Sequence, residues 1–266
     1  MSNYYNRQWR LPNEENKSKQ SNYSMDFDGS QYIDCGDVPL EGVYTISFWI
    51  NPYANPSALY FLFDKRDGSS INISARVTQQ LSNKIRFQIS SSYFESTDTL
   101  TNNSWNNVVL IANGASSEIY INNGTAATGT LTAAPNTTDS FFIGTDNAQQ
   151  SAYFFNGQID GVSIFNYALT DGTGGTVNQI AALYGSSSTG IGNPMSLSPK
   201  PVFYAPLGDQ DVYNGADYLV PNASLQDFVF SFISSQEINC GNNSTLQMGT
   251  VFTMSCWINT TSTSRG

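Results

Sequence analysis

From Met25 onward, apolar and polar residues alternate with a period of two. Ile46, Phe48 and Ile50 alternate with Ser47, Trp49 and Asn51; Ile71, Ile73, Ala75 and Val77 with Asn72, Ser74 and Arg76; Ile85, Phe87 and Ile89 with Arg86 and Gln88. This is the period of a strand with one face turned to a core. Residues 108–112 form a continuous apolar run, as expected of a strand covered on both sides. Ile119 and Ile121 flank Tyr120, and 141–143 and 162–164 supply further strands. Asn113-Gly114 and Asn123-Gly124 bracket 118–122, and Asp67-Gly68 marks another turn; Asn-Gly between strands is a hairpin signal because both residues tolerate positive φ. Such spacing predicts an all-β chain, an antiparallel β-sandwich or barrel. The alternation places Ile46, Phe48, Ile50, Phe87, Val109, Ile111, Ile119, Val162 and Ile164 in the core. One helix is expected late in the series: Val177, Ile180, Ala181 and Tyr184 fall at i, i+3, i+4 and i+7, with Thr176 to cap the start and Gly185 to end it.

The opening pattern occurs twice. Phe27, Ile33, Cys35 and Gly36 recur 205 positions later as Phe232, Ile238, Cys240 and Gly241, and Trp49, Ile50 and Asn51 recur 208 positions later as Trp257, Ile258 and Asn259. A period this long fits a whole domain. We therefore expect a polar arm or linker over 1–23, a complete domain over 24–185, a Ser/Gly/Pro linker over 186–201 and the start of a second, incomplete domain over 202–266. The carboxylates do not recur with the apolar positions: Asp26, Asp28 and Asp34 are matched by Ser231, Ile233 and Asn239. Any chemistry carried by them belongs to one copy.

Composition narrows the function. Lys and Arg number 11 against 21 Asp and Glu, a net charge of −10, which disfavours nucleic acid and anionic membrane surfaces. Histidine is absent, which removes Ser-His-Asp and Cys-His catalysis and imidazole zinc sites. Cys35, Cys240 and Cys256 read as buried thiols acting as small hydrophobes. No apolar run of membrane-spanning length and no secretory leader pattern occurs in the chain.

In order along the chain stand DFDGSQYIDCG, YTISFWINP, SWNNVVLIANG, SEIYINNG, SFFIGTDN and FFNGQIDGVSIFNYALT. This series, over about 24–185, resembles the laminin-G-like, concanavalin A-like jelly-roll family. The resemblance implies an antiparallel β-sandwich jelly roll closed by a short helix. RQWRLPNEENKSKQ before it and NPMSLSPKPVFYAPLGD after it resemble tandem-domain virion structural proteins of marine bacteriophages, implying a virion or extracellular surface setting. Known members of the fold include lectins, laminin modules and some glycosidases, so each site is argued separately. The acidic strand run that retaining glycosidases of this fold carry has no match, and Glu41, Glu95 and Glu118 stand isolated. The expectation is a non-catalytic module that binds a glycan or neighbouring protein subunits, with a ligand-free spacer and a glycoside hydrolase as the alternatives.

A structural calcium ion is the candidate cofactor, the alternative being no cofactor, with Asp160 accepting backbone N–H bonds at a strand end or capping a turn. If 158–165 is a regular strand, Asp160 shares the inward face of Val162 and Ile164, which is costly for a carboxylate unless it is paired or metal-bound; the family resemblance makes Asp28 its partner. Asp146, in the oxygen-rich GTDNAQQ loop, is a second calcium ligand candidate. For a glycan, exposed aromatics that stack on sugar faces matter, with amides close by: Tyr53, Tyr93, Tyr153 and Asn147 are the candidates. Trp105 is expected to pack at the start of a buried strand. Trp49, facing opposite Ile46 and Phe48, is expected under a loop or on the outer sheet face.

Overall fold

The computed structural model describes residues 24–56, 59–67, 71–78, 83–134, 138–146, 148–149, 152–185, 192–207, 212–213 and 218–219. The chain divides into two compact units, Met1–Gln226 and Asp227–Gly266, and every described residue belongs to the first. The arm 1–23, Asn147, and the second copy of the repeat with Cys240 and Cys256 lie outside the described residues.

The alternating segments form two antiparallel sheets. Sheet A runs β10 (Ala127–Gly129), β9 (Ser117–Ile121), β8 (Asn106–Ala112), β3 (Tyr44–Pro52), β12 (Asn156–Phe165), β13 (Phe203–Ala205), β14 (Val212–Tyr213) and β15 (Tyr218–Leu219), with β1 (Met25–Asp28) also paired to β12. Sheet B runs β2 (Ile33–Asp37), β11 (Ser140–Ile143), β4 (Leu59–Asp67), β5 (Ile71–Thr78), β6 (Lys84–Ile89) and β7 (Ser92–Glu95). Together they make the expected β-sandwich, consistent with a jelly roll.

The core lies between the sheets. Ile46, Phe48 and Ile50 of β3, Val108 and Leu110 of β8 and Ile159 and Ile164 of β12 meet Phe63, Ile73, Ile85, Phe87 and Phe141 from sheet B. The rings of Phe48 and Phe63 cross edge to face at 5.9 Å and those of Tyr44 and Phe87 at 6.3 Å, a geometry that favours aromatic pairs. All nine residues assigned to the core are buried. Cys35 is a half-buried free thiol against this core, and burial, with the Asp34 charge second, pushes its pKa up.

Strand β8 is buried at every position because it is covered twice. Val108, Leu110 and Ala112 join the inter-sheet core, whereas Val109 and Ile111 join a second cluster with Tyr120, Phe165, Leu169, Ile180 and Leu183 on the outer face of sheet A. Ile180 and Leu183 come from the helix Gln179–Tyr184. That helix starts later than expected: Asn178, not Thr176, caps it by accepting the Ala181 N–H, and Val177 is 74% exposed. Gly185 ends it at φ 74, donating to Ala181 O, the left-handed conformation that glycine adopts without a Cβ penalty.

Two further expectations change. The segment after the helix is not wholly a linker. Pro194 and Met195 are buried in a 3-10 turn, and Phe203–Ala205 pairs with β12 through Val162–Ala205, Ser163–Tyr204 and Ile164–Phe203. Phe203, Ala205 and Leu207 complete the core, so the first unit runs past 201. The turn at 122–124 also shifts by one residue: Asn122 and Asn123 both take positive φ, and Gly124 N donates to Ile121 O at 2.9 Å. The side-chain amide of Asn122 accepts from Asn107 N, which anchors Asn122 in the turn.

Candidate functional site

The outer face of sheet A is built by odd positions of β3 and β8 and their partners. Its lower half lies under the helix, and its upper half is open among the described residues. One row crosses the open half. Asn51 of β3 is level with Gln158 of β12, and Gln158 with Asp26 of β1. One residue beyond the last β3–β8 pair, Ile50–Asn106, Trp105 comes level with Asn51 on the other side. The row crosses four strands, a span of about 14 Å. Asn51 Nδ2 donates to Gln158 Oε1 at 3.0 Å. Tyr53, next along the same face, reaches across β12 and donates its hydroxyl to Asp26 Oδ1 at 2.9 Å. Trp105 is 40% and Tyr53 36% exposed. The Oδ1 atoms of Asn51 and of its neighbour on this face, Asn107, are buried and have no hydrogen-bond partner, an unmet acceptor pair beneath the surface of the row.

The loop before Trp105 is held by amides. Asn106, fully buried, donates to Thr101 O and Ser104 O at 2.9 and 2.7 Å and accepts from Thr101 N at 3.0 Å. Asn103 N donates to Pro52 O, and Asn102 Nδ2 to Asn55 Oδ1, both at 2.7 Å. The indole is thus presented from a fixed backbone, which lowers the entropy lost on binding.

A second row lies below. Trp49 pairs with Asn107 on β8 and with Asp160 on β12, and its ring stacks on Tyr184 at 5.7 Å and 17°. β12 is not regular here. Its register slips between Asp160 and Ser163, with Gly161 at φ 61, the signature of a bulge. The slip restarts the alternation, so Ile159 and Val162 both face the core, and Asp160 turns outward instead of inward as expected. It also marks where the edge partner of β12 changes from β1 to β13. Desolvation raises the Asp160 pKa to about 7, against a lowering hydrogen bond from Gly161 N–H. Beside it, burial first and the Asp160 charge second push the Tyr204 hydroxyl up. Asp26 and Asp160 are diagonal neighbours on adjacent strands, about 7–8 Å apart at the backbone.

The expected residues are only partly gathered. Tyr53 lies on the open row. Tyr153 lies at the same end of the sandwich but against sheet B, its ring 5.7 Å from Phe61. Tyr93, 52% exposed, stands on edge strand β7 beside the hairpin at the far end, under the Arg86 guanidinium at 4.2 Å. Asp28 pairs with Asn156, four residues from Asp160 along β12, hence about 13 Å away. One calcium ion with ligands at roughly 2.3–2.6 Å does not bridge them. Asp28 Oδ1 instead closes a turn, accepting from Ser30 N and Oγ at 2.9 and 2.6 Å. Asp146 is buried in sheet B's loop after β11, and its carbonyl accepts from Gln149 N. Among the described residues no group of three or more Cys, Asp or Glu side chains is placed to hold a metal ion, and no helix is long and apolar enough to cross a membrane.

A family model described as the concanavalin A-like lectin/glucanases superfamily matches residues 27–173. The chain belongs to this superfamily. Solved structures similar to this lectin-like chain include domain 4 of AbnA, a GH43 extracellular arabinanase from Geobacillus stearothermophilus, in complex with arabinotriose (18% identity, 55% of this chain and 72% of that chain, TM-score 0.47). Others are a native heptameric SAP-like pentraxin from Limulus polyphemus (14%, 71% and 92%, 0.48) and the CBM40 of Ruminococcus gnavus IT-sialidase bound to alpha2,3 sialyllactose (14%, 57% and 93%, 0.47). At these identities the likeness is one of fold. A search of curated protein sequences gives no match.

Within this superfamily fold, Trp105 is, like Asp160, a residue that sequence reasoning misplaced. It is exposed, not core, because the inward positions of β8 are even and Trp105 is odd. The signal was hidden: β8 is apolar on both faces, so its alternation cannot be read without its partner strand. Trp49 takes the second of its two expected places, the outer face.

Proposed function

We propose that the protein is a non-catalytic glycan-binding module and that its site is the open upper half of sheet A's outer face. The observation carrying this reading is the pair of exposed rings, Trp105 level with Asn51 and Tyr53 next along the same face, beside the Asn51–Gln158 amide pair with Asp26 at the row's end. Flat aromatic faces pack against the C–H faces of sugar rings, while amides and a carboxylate supply directional hydrogen bonds to hydroxyls. The test is a glycan microarray and calorimetry on the wild-type chain and Trp105→Ala. Loss of every signal in the variant supports the reading, and binding indifferent to Trp105 overturns it. Measurements in calcium and in EGTA test the cation expected at Asp146. A surface or virion setting belongs to the same proposal; immunogold labelling of particles tests it.

One observation favours a second reading, glycoside hydrolysis. Asp26 and Asp160 share the open face at a separation within the roughly 5–10 Å that paired glycosidase carboxylates occupy, and the raised Asp160 pKa suits a general acid. Against it, Asp26 already accepts the Tyr53 phenol. Release of reducing ends from any bound oligosaccharide, abolished in Asp160→Asn with binding retained, would establish hydrolysis; intact ligand after prolonged incubation removes it.

A further inference from the structure

We infer that this face selects uncharged glycans and rejects those bearing carboxylate or sulfate groups, an inference that rests on the glycan-binding reading above. The two sheets divide the charge unequally. The strands of sheet A carry Asp26, Asp28, Glu118 and Asp160 and, among the described residues, no lysine or arginine. The strands of sheet B carry Lys65, Arg66, Arg76, Lys84 and Arg86 balanced by Asp34, Asp37, Asp64, Asp67 and Glu95.

On the open half of sheet A two of those carboxylates, Asp26 and Asp28, bear on a ligand. Asp26 ends the row on which Trp105, Asn51 and Gln158 stand. Asp28 follows on the same side of β1, engaged with Ser30. Asp160 lies one row below, beside Trp49. Asp26 accepts one phenolic hydrogen from Tyr53, and a carboxylate has about four lone-pair sites, so it has room for sugar hydroxyls as further donors. Asn51 and Gln158 offer neutral amides. A uronate, sialate or sulfate laid across this row brings a second negative charge to Asp26 with no cation supplied by these strands. Arranging like charges together across an interface costs several kcal/mol. Hydroxyls meet no such cost, because they donate to the same oxygens.

Two of the sheet B cations have partners of their own. Lys65 Nζ is buried between Asp37 Oδ1 and Val38 O, both at 2.6 Å, and Arg86 holds Glu95 at 2.6 Å. The asymmetry therefore lies in what each face asks of a partner, and sheet A asks for donors without charge.

The experiment is a microarray carrying neutral oligosaccharides beside sialylated, uronate and sulfated ones, probed with the full chain and with Trp105→Ala at low salt. The expected result is Trp105-dependent binding confined to neutral glycans, with charged counterparts of the same backbone weaker by about 100-fold or more. A homogalacturonan oligomer and its methyl ester give a matched pair: the ester is the only one of the two expected to bind. Trp105-dependent binding of charged glycans at comparable strength overturns the inference and leaves the glycan-binding reading standing. No Trp105-dependent signal in either class overturns that reading and this inference with it. Should Trp105→Ala unfold, Tyr53→Ala provides the second variant, and circular dichroism distinguishes misfolding from lost binding.

Discussion

The upper and lower halves of sheet A's outer face are made by the same strands with the same period, yet one is a core and the other a surface. Below, Val109, Ile111, Tyr120 and Phe165 lie under Ile180 and Leu183 of the helix. Above, Trp105, Asn51, Gln158 and Asp26 lie under no described element, and two exposed rings, Trp105 and Tyr53, adjoin the paired amides. A period of two fixes which residues point away from the sandwich core, and what packs on them then decides whether they act as stabiliser or as site. The difference is sharpest in free energy. Phe165→Ala removes a fully buried ring and is expected to destabilise by about 3–5 kcal/mol, measured by urea denaturation. A loss under about 1 kcal/mol would mean that the lower half is not a true second core.

Trp105→Ala probes the other half and should behave in the opposite way. The residue is 40% exposed, so stability should fall by about 1–2 kcal/mol, less than for Phe165→Ala, while affinity for any bound glycan falls by about 10- to 100-fold, as for an aromatic anchor. Equal effects of Phe165→Ala and Trp105→Ala on stability would erase the distinction between the halves.

The contrast also shows what could be read in the sequence. The strands, the inter-sheet core and the double cover of β8 were legible, because burial on one face or on two writes itself directly into the alternation of residue types. The site was legible only at Tyr53. Trp105 and Gln158 become neighbours of Asn51 through pairing between strands distant in sequence, and no local pattern encodes that register. Asp160 was misread because a single bulge at Gly161 reverses the parity of β12, and glycine inside a strand signals a bulge without saying which way the next side chain turns. Phe203–Ala205, which the sequence groups with the following segment, pairs with β12, another long-range register that no local pattern encodes.

Asp160 sits at the border between the halves, and its titration gives the third test. Its folded pKa of about 7 lies above the ordinary carboxylate value of 3.8, so between those values the folded protein binds the proton more tightly than the unfolded chain. Its contribution to stability is full below about pH 4 and is lost as pH rises towards 7. Asp160→Asn should be neutral in Tm at low pH and stabilising at pH 8, by about 2–4 °C for each kcal/mol of relieved desolvation. A wild-type minus variant difference that stays flat across this range would show that the bulge leaves the carboxyl solvated.

The smallest expected effect is the most specific to the open half. Tyr53→Phe deletes only the hydroxyl that donates to Asp26 and keeps the ring. The bond is exposed, so stability should change by less than about 0.5 kcal/mol. If Tyr53 serves as a stacking surface, the phenylalanine retains most of the contact, and the freed Asp26 oxygen can accept a ligand hydroxyl in place of the phenol. Affinity should then change by less than about threefold, a fraction of one hydrogen bond's net contribution. Tyr53→Ala, which removes the ring, should cost about tenfold or more. Calorimetry of both variants separates the ring from the hydroxyl. Equal losses in the two would assign the effect to the Tyr53–Asp26 hydrogen bond, and the upper half would then act through a held carboxylate instead of an aromatic platform.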